Sequence, residues 1–328
     1  MSDIGILYPE MPVALGPTVP FAEIARRRGH RLWFGHSSLV DSQATMAALI
    51  GRGYTIPYGS AVALFPLWHS HQFAVQARSI ANLSGNTYIA GIGPGGKDFQ
   101  TNALGAPLAR PVTASGEFVV GMKRALYPDS GADLLRLKPR ADQMLGSVET
   151  GLGVLRPAMA RCAGRTAEWA VTWLTPGAYL KELIIPAMAE SAEEHGRSLP
   201  HVASVVHFAV RRSGRDPFAL AHTAAHAHLR GEHYASMLRQ AGLDVETGST
   251  ERGAAELVRS GTFLYGDTTE IAEGIDQLQY QGVGEVILNS YGVATAHGVG
   301  AALDDLEEVL EATDYSKRPV AASLAVAS

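Results

Sequence analysis

The sequence predicts an α/β protein that forms a single (β/α)8 barrel, a TIM barrel, with loop insertions at the carboxyl-terminal face. Short apolar runs alternate with helical patterns eight times along the chain, which is typical of parallel βα units. The length of 328 residues is usual for one barrel of this kind. A doubly wound open sheet is the alternative that the same alternation allows.

The predicted strands are short runs rich in β-branched and aromatic residues. In chain order they span 3–8, 31–36, 54–64, 87–93, 146–155, 168–174, 201–211 and 285–290. Gly59 and Ser60 interrupt the third of these runs. The sequence therefore predicts a barrel wall of eight strands, one of them irregular.

The segments between the strands carry the spacing of amphipathic helices. Predicted helices span 21–30, 69–85, 114–127, 156–165, 177–197, 268–282 and 301–312, and a long helical region spans 217–260. Pro157 lies in the first turn of its helix, where proline is favoured. No linker or repeat divides the chain, so we expect one domain over 1–315 and a loose carboxyl-terminal tail over 316–328.

Composition limits the class of protein. A hydrophobic fraction of 46% with 18% charged residues indicates a globular chain, and a net charge of −5 gives no general attraction to nucleic acid or anionic membranes. A single cysteine, Cys162, excludes an internal disulfide and suggests a reducing compartment. Without a signal-peptide pattern or an apolar run of about 18 residues, the sequence predicts a soluble cytoplasmic protein with no membrane partner.

The stretch YIAGIGPGGKDFQ, residues 88–100, contains glycines in the G-x-G-x-x-G spacing of a dinucleotide-binding loop. The residues that follow carry two prolines and no helical period, and Lys97 is followed by Asp98 rather than by the Ser or Thr of a Walker loop. We therefore predict a strand that ends in an open loop over 94–111, where the backbone approaches a flat ligand closely.

In a barrel the active site lies at the carboxyl ends of the strands. The candidates fixed by this position follow the second to sixth strands: His36 and Ser37, then 60–64, 93–97, Arg156 with Pro157, and 173–175.

Several of these segments together resemble the luciferase-like flavin and deazaflavin oxidoreductases. The resemblance runs from about Leu32 to Asn289 and is carried by GSAVALFPLWHSHQFAVQARSIANLSGNTYIAGIGPGG, RPAMARCAGRTAEWAVTWLTP, GEHYASMLRQAGLD and GDTTEIAEGIDQLQYQGVGEVIL. The sequence is most similar to the members that use the deazaflavin coenzyme F420, such as the methylenetetrahydromethanopterin reductases.

The resemblance implies a cofactor site at the third and fourth strands. It implies a bulge with a non-prolyl cis peptide at Ala61–Val62, plus or minus one residue, against one face of the ring, and glycines beside that ring. The phosphate would lie at the helix that starts after Arg156, where this family usually has glycine. The implied cofactor-binding residues are Ser60, Ala61, Val62, Ala63, Gly93, Pro94, Gly95, Arg156, Pro157, Ala158 and Trp173.

The candidate catalytic residues are His36 and Ser37, and His36 is the better proton-transfer candidate because imidazole titrates near neutral pH. Deazaflavin members often carry an acidic residue and a histidine after the second strand, and here His36 and Ser37 stand in those positions. Gly96 stands where some deazaflavin dehydrogenases have an acidic residue. These departures favour the reduction of an alkene or imine over the oxidation of an alcohol.

Other aromatic and histidine residues have two interpretations each. Trp33, Trp68 and Trp173 either wall an apolar substrate pocket or pack in the core. His71 matches a histidine common in the family, and His222 with His226 has a spacing seen in metal sites, but no third ligand is evident and no metal is expected.

The resemblance therefore implies an F420-dependent oxidoreductase that reduces a C=C or C=N bond in a small or peptide-borne substrate such as a dehydroamino acid. The first alternative is an FMN-dependent monooxygenase, and the second is a barrel that serves as a non-catalytic scaffold. Family members often dimerise through barrel helices, so a homodimer is expected.

Overall fold

Ten parallel strands make up the sheets of this computed structural model, which describes residues 3–127 and 145–314. Their bounds are β1 (Asp3–Leu7), β2 (Arg31–Phe34), β3 (Tyr58–Ser60), β4 (Ala63–Leu64), β5 (Tyr88–Gly93), β6 (Val148–Gly153), β7 (Trp169–Trp173), β8 (His201–Val210), β9 (Leu264–Gly266) and β10 (Glu285–Asn289).

The sheet closes on itself because β10 pairs with strands from both ends of the chain. Its residues pair in parallel with Asp3 to Ile6 of β1 and with Ala203 to His207 of β8. The remaining neighbours follow chain order from β1 to β8. The predicted (β/α)8 barrel is thus confirmed, and the open sheet is excluded.

Two departures from eight plain strands matter for the site. The third barrel strand is split into β3 and β4, each of which pairs with β5. The short strand β9 was not predicted, and it pairs with the last residues of β8, Phe208 to Val210, beyond the segment that pairs with β10. The carboxyl-terminal part of β8 therefore continues past the segment that pairs with β10.

The helices pack around the barrel between successive strands. Their bounds are α1 (Val19–Arg28), α2 (Ser42–Gly51), α3 (Ser70–Ser84), α4 (Lys97–Leu104), α5 (Pro111–Leu126), α6 (Pro157–Thr166), α7 (Gly177–Tyr179), α8 (Ile185–Glu194), α9 (Pro217–Leu229), α10 (Glu232–Gln240), α11 (Thr250–Arg259), α12 (Thr268–Tyr280), α13 (Tyr291–His297) and α14 (Val299–Ala312). A π-helical turn over Leu180–Ile184 joins α7 to α8.

The helix α2 was missed by the sequence prediction, although it has a clear start. The Asp41 carboxylate accepts a hydrogen bond from the Gln43 backbone N–H over 2.8 Å and so caps the first turn. The long helical region predicted over 217–260 is three separate helices, α9 to α11.

The prediction of an open loop over 94–111 is wrong, because α4 begins at Lys97 directly after the glycines. This helix has only eight residues, and Gln100 is its one buried side chain among those described. An apolar period therefore could not reveal it.

Two hydrophobic clusters stabilise the fold. The larger lies between the barrel wall and the helices, and the smaller fills the inside of the barrel. None of the helices within the described ranges is long and apolar enough to cross a membrane. The predicted tail over 316–328 lies outside the described residues.

Candidate functional site

Two tryptophans fill the amino-terminal end of the barrel interior. Trp33 is fully buried, and its Nε1–H donates to the Oε1 of Glu285, the first residue of β10, over 2.6 Å. Trp169, the first residue of β7, donates in the same way to the Glu149 carboxylate over 2.5 Å. Trp33 is thus core rather than a pocket wall, and open space for a ligand lies toward the carboxyl ends of the strands.

The break between β3 and β4 lies at those carboxyl ends. The peptide bond Ala61–Val62 is cis and non-prolyl, which confirms the position predicted for the bulge. Ser60 before the break is buried, and its hydroxyl lies 2.5 Å from the Tyr88 hydroxyl. Ala63 after the break pairs with Ile92 and returns the chain to the wall.

The glycines of β5 make room for this bulge. A Cβ on Gly91 would overlap the Ser60 carbonyl oxygen, and a Cβ on Gly93 would lie 2.8 Å from Val62 Cγ2. The sequence prediction assigned this room to a flat ligand. In the structure the protein itself occupies it, since Val62 packs inward against the glycine strand.

The loop Gly93–Pro94–Gly95 is held from below by a residue that sequence reasoning missed. The Gln100 side-chain amide donates to the carbonyl oxygens of Pro94 and Gly95 over 3.2 and 2.9 Å, and it accepts from the Leu108 N–H over 2.9 Å. Gly95 has a φ of 70°, which favours glycine. The loop is therefore a fixed turn rather than an open segment.

His36 lines a cavity of about 250 Å³ beside the barrel mouth. The walls are formed by the chain after β2, by the bulge and by the start of α3, with the residues Gly35, His36, Ser37, Ser38, Leu39, Val40, Asp41, Ser42, Gln43, Ser60, Ala63, Leu67, Trp68 and Phe73. Trp68 and Phe73 give one side of the cavity an apolar surface, so of the two interpretations of Trp68 the structure supports a pocket wall, although the ring also packs against the core.

The two candidate catalytic residues differ in their surroundings. Burial lowers the pKa of His36, so its imidazole is neutral near pH 7, and its Nε2 lies 3.4 Å from the Ser38 hydroxyl. The Ser37 hydroxyl accepts hydrogen bonds from the N–H groups of Leu39 and Val40, each over 3.2 Å. Ser37 thus shapes the loop that carries His36.

A buried polar network lies behind this cavity. The Gln43 side-chain amide donates to the Tyr88 hydroxyl over 3.0 Å, and Ser60 completes the group. Burial raises the pKa of Tyr88 to about 12, so its hydroxyl stays protonated. This network fixes the Ser60 end of the bulge and connects it to α2.

On the opposite side of the mouth, Trp173 ends β7 within a cluster of aromatic residues. Its ring stacks on His228 with centroids 5.2 Å apart and meets His207 edge to face at 5.8 Å. His207 lies on the inward face of β8 and is 1% exposed. The indole Nε1 of Trp173, both ring nitrogens of His207 and Nδ1 of His228 are buried and have no hydrogen-bond partner among the residues that the structure describes.

The predicted phosphate site lies at the start of α6. Arg156 precedes the helix in an extended conformation and is exposed, and its guanidinium makes no hydrogen bond or ion pair within the described ranges. The N–H groups of Met159 and Ala160 both donate to the Arg156 carbonyl, over 3.0 and 3.1 Å. The Arg156 guanidinium is therefore better placed to bind an anion than the backbone after Pro157 and Ala158.

Two other cations occupy neighbouring loops at the same end of the barrel. Lys97 starts α4 and Arg110 precedes α5, and both are exposed. Neither makes an ion pair within the residues that the structure describes. With Arg156, they leave three unpaired positive charges around the carboxyl ends of β5 and β6.

The structure connects the predicted residues through a few contacts. Phe99 of α4 meets the His36 ring edge to face, with centroids 5.7 Å apart, and its ring also contacts Gly95. His233 lies 2.9 Å from the position of a Cβ on Gly96, and the positive charge of Arg156 contributes to lowering its pKa, after burial. An acidic side chain in place of Gly96 would therefore require His233 to move.

The remaining candidates are structural. The His69 ring accepts a hydrogen bond from the His71 N–H and caps α3. His222 bonds to the Thr250 hydroxyl over 3.0 Å, and no group of three or more metal-binding side chains occurs in the described part of the chain. Cys162 is buried, and burial raises the pKa of its thiol.

Comparisons with known proteins agree with this architecture. A family model described as luciferase-like monooxygenase matches residues 16–285. The sequence matches no curated protein.

Solved structures share the fold at low identity. An F420-dependent secondary alcohol dehydrogenase in complex with an F420–acetone adduct is 17% identical, with a TM-score of 0.65, covering 95% of this chain and 99% of that one. The coenzyme F420-dependent tetrahydromethanopterin reductase from Methanopyrus kandleri is 16% identical, with a TM-score of 0.64 and coverages of 93% and 98%. The oxygenating constituent of 3,6-diketocamphane monooxygenase from Pseudomonas putida, in complex with FMN, is 14% identical, with a TM-score of 0.65 and coverages of 95% and 98%.

Proposed function

The chain belongs to the luciferase-like monooxygenase family, and on this premise we propose that it is an oxidoreductase that uses coenzyme F420. The proposed reaction is the reduction of a C=C or C=N bond in a small or peptide-borne substrate. A homodimer in the cytoplasm stays a prediction of the sequence.

The observation that carries the choice of cofactor is the group of unpaired cations at Lys97, Arg110 and Arg156. Coenzyme F420 joins its deazaflavin ring to a phosphate and a tail of glutamate carboxylates, whereas FMN ends in one phosphate. Three positive charges on adjacent loops suit the longer anionic chain, because each can bind an oxygen anion by a charge-assisted hydrogen bond.

The residues around the mouth suit a flat ring as well. The bulge at Ala61 and Val62 presents a fixed surface, and the turn at Gly93 to Gly95, supported by Gln100, borders it. Trp173 is half-buried on the facing side of the mouth. These residues would hold the ring, and Arg156 would hold its phosphate, with Pro157 and Ala158 starting the helix beside it.

When bound in its reduced form, the deazaflavin supplies a hydride to one atom of the substrate double bond. The other atom needs a proton, and His36 is the residue of the cavity suited to pass it. Because its imidazole is neutral, His36 would take a proton at one ring nitrogen and release another from the second nitrogen. The Ser38 hydroxyl near Nε2 would relay to His36 a proton taken from water, so that Ser38 itself stays protonated.

Equilibrium titration with oxidised coenzyme F420 and, separately, with FMN tests the proposal. Binding is followed through the change in cofactor fluorescence, and the measurement is made at low ionic strength, where charge attraction is least screened. Saturable binding of the deazaflavin in preference to FMN is the expected result. A preference for FMN would support a flavin monooxygenase instead.

Absence of binding by both cofactors would overturn the proposal and favour a non-catalytic scaffold. After cofactor preference is established, reduction of dehydroamino acid, enamide and imine compounds by reduced coenzyme F420 is followed through the absorbance of the oxidised deazaflavin. Substrate turnover at a rate that depends on His36 is the expected outcome.

A further inference from the structure

Within the described ranges, four buried nitrogen atoms without hydrogen-bond partners belong to three aromatic residues that contact one another. They are Trp173 Nε1, His207 Nδ1, His207 Nε2 and His228 Nδ1. Buried polar atoms in folded proteins are normally hydrogen-bonded, because leaving one unpaired costs free energy. A concentration of unpaired nitrogens in one place therefore points to a ligand that pairs with them.

The place is the carboxyl-terminal end of the barrel, where barrel enzymes bind substrates. Trp173 ends β7 and is half-buried, so part of its indole ring reaches the mouth. Leu174 follows it with a φ of 52°, a left-handed conformation that is costly for a leucine. This conformation turns the chain sharply after Trp173, next to the ring that carries one unpaired nitrogen.

The charges around this cluster are few. Burial lowers the pKa of His207 to about 3 and that of His228 to about 4, so both rings are neutral at neutral pH. Tyr234 packs against His228, and burial raises the pKa of its hydroxyl, which stays protonated. The charges of Arg156 and Asp98 contribute to the pKa shift of His233, and neither contributes to that of His207. A neutral ligand group suits such surroundings better than a carboxylate or an ammonium group.

The hydrogen-bonding capacity of Trp173 and His207 further limits which chemical group can bind between them. The indole of Trp173 is a donor only, whereas a neutral imidazole has one donor and one acceptor nitrogen. Together they offer donors for a carbonyl oxygen and an acceptor for an N–H group. A secondary amide carries both of these groups, with its C=O and N–H on adjacent atoms and pointing in opposite directions.

We propose that Trp173 and His207 recognise an amide group of the substrate. The indole N–H donates to the amide oxygen, and the unprotonated ring nitrogen of His207 accepts the amide N–H. This inference rests on the proposed function and narrows its substrates to those with a reducible bond next to an amide, as in a dehydroamino acid within a peptide.

The test needs no cofactor and no turnover. The protein has four tryptophans, so 15N-tryptophan labelling gives four indole N–H signals. The signal that disappears in Trp173→Phe is that of Trp173. The labelled full-length protein is titrated with N-methylpropionamide and with methyl propionate, which have similar shapes but differ in the N–H group. Each titration follows the shift of the Trp173 signal.

We expect the Trp173 signal to move downfield saturably with the amide and to need at least about tenfold more ester for the same shift. His207→Phe should weaken amide binding about tenfold, and His207→Asn, which keeps a donor and an acceptor, should recover part of it. His226→Phe is the matched control on the exposed side of α9 and should bind the amide as the parent protein does.

Two results would overturn the inference. One is an indole signal that does not move with the amide up to its solubility limit, which assigns the unpaired nitrogens to buried water. The other is equal affinity for the amide in the parent protein and in His207→Phe. If coenzyme F420 binds but the amide does not, only this inference fails; if the amide binds but neither cofactor does, the proposed function fails.

Discussion

The imidazole of His36 and the phenyl ring of Phe99 meet edge to face, with centroids 5.7 Å apart and planes at 75°. This contact joins the loop after β2 to α4, two segments that are more than 60 residues apart in sequence. Phe99 also contacts Gly95, so the same ring supports both the proposed proton relay and the glycine turn.

Replacing Phe99 by alanine should expose His36 to water. Because burial is what lowers the pKa of His36, the variant should show a His36 pKa closer to its ordinary value. The loss of a half-buried ring should also reduce the free energy of unfolding by about 1–2 kcal/mol, less than for a fully buried phenylalanine. An NMR titration of the histidine Cε1 protons measures the pKa, and Phe218→Ala on the exposed side of α9 is the control. An unchanged His36 pKa would show that the Phe99 ring does not shield His36 from water.

The buried histidines should make stability fall as the pH falls. The folded pKa values of His207 and His228, about 3 and about 4, lie below the unfolded value, so the unfolded chain binds protons that the folded chain does not. Between about pH 7 and pH 4, each histidine should reduce the free energy of unfolding by up to about 1.4 kcal/mol per pH unit.

His207→Phe should remove one of these contributions and flatten the pH dependence. At pH 7 it should not destabilise the protein, since it replaces an unpaired polar ring by an apolar one. Urea unfolding at several pH values measures both effects, with His226→Phe as the exposed control. If the free energy of unfolding depends on pH equally in His207→Phe and in the parent protein, His207 is not the group that takes up a proton on unfolding.

Arg156→Gln should weaken the binding of coenzyme F420 about five- to tenfold, because one charge-assisted hydrogen bond is lost. The dependence of affinity on salt should weaken with it. Arg161→Gln removes the same charge from the same helix, where Arg161 pairs with Glu190 at 3.8 Å, and should change affinity little. Equal losses in the two variants would indicate a general charge effect rather than contact with a phosphate.

Removing Glu285 should destabilise the barrel. Its carboxylate accepts from Trp33 and pairs with Arg31 at 3.3 Å, and both groups lose a buried partner in Glu285→Ala. We expect a loss of roughly 3 kcal/mol or more, and a smaller loss for Glu285→Gln, which retains an acceptor for the indole N–H. Urea unfolding measures the difference. An alanine variant as stable as the glutamine variant would contradict this role.

The eight strands of the barrel wall were predictable from sequence because buried parallel strands give continuous apolar runs, whereas their number and the chain length favoured closure without excluding an open sheet. The bulge was predictable only from the family resemblance, since Ser60, Ala61 and Val62 alone read as an ordinary strand. The helix α2 was missed although Asp41 is a standard helix cap. The helix α4 was missed because its start, Gly96, has no side chain and its single buried residue, Gln100, is polar.

His207 was missed for a different reason. A histidine within HVASVVHFAV reads as one more strand residue, and only the register shows that it faces inward with Ala203 and Val205 near the carboxyl end. The alternation of the strand was visible in the sequence. The missing knowledge was which of its two faces lines the barrel.

The tryptophans that fill one end of the barrel also constrain the order of events during turnover. Because Trp33 and Trp169 fill the amino-terminal end, molecules can enter and leave the barrel interior only at its carboxyl-terminal end. If a cofactor and a substrate bind there one above the other, the deeper molecule must enter first and leave last. For that arrangement we expect steady-state kinetics of a compulsory-order type.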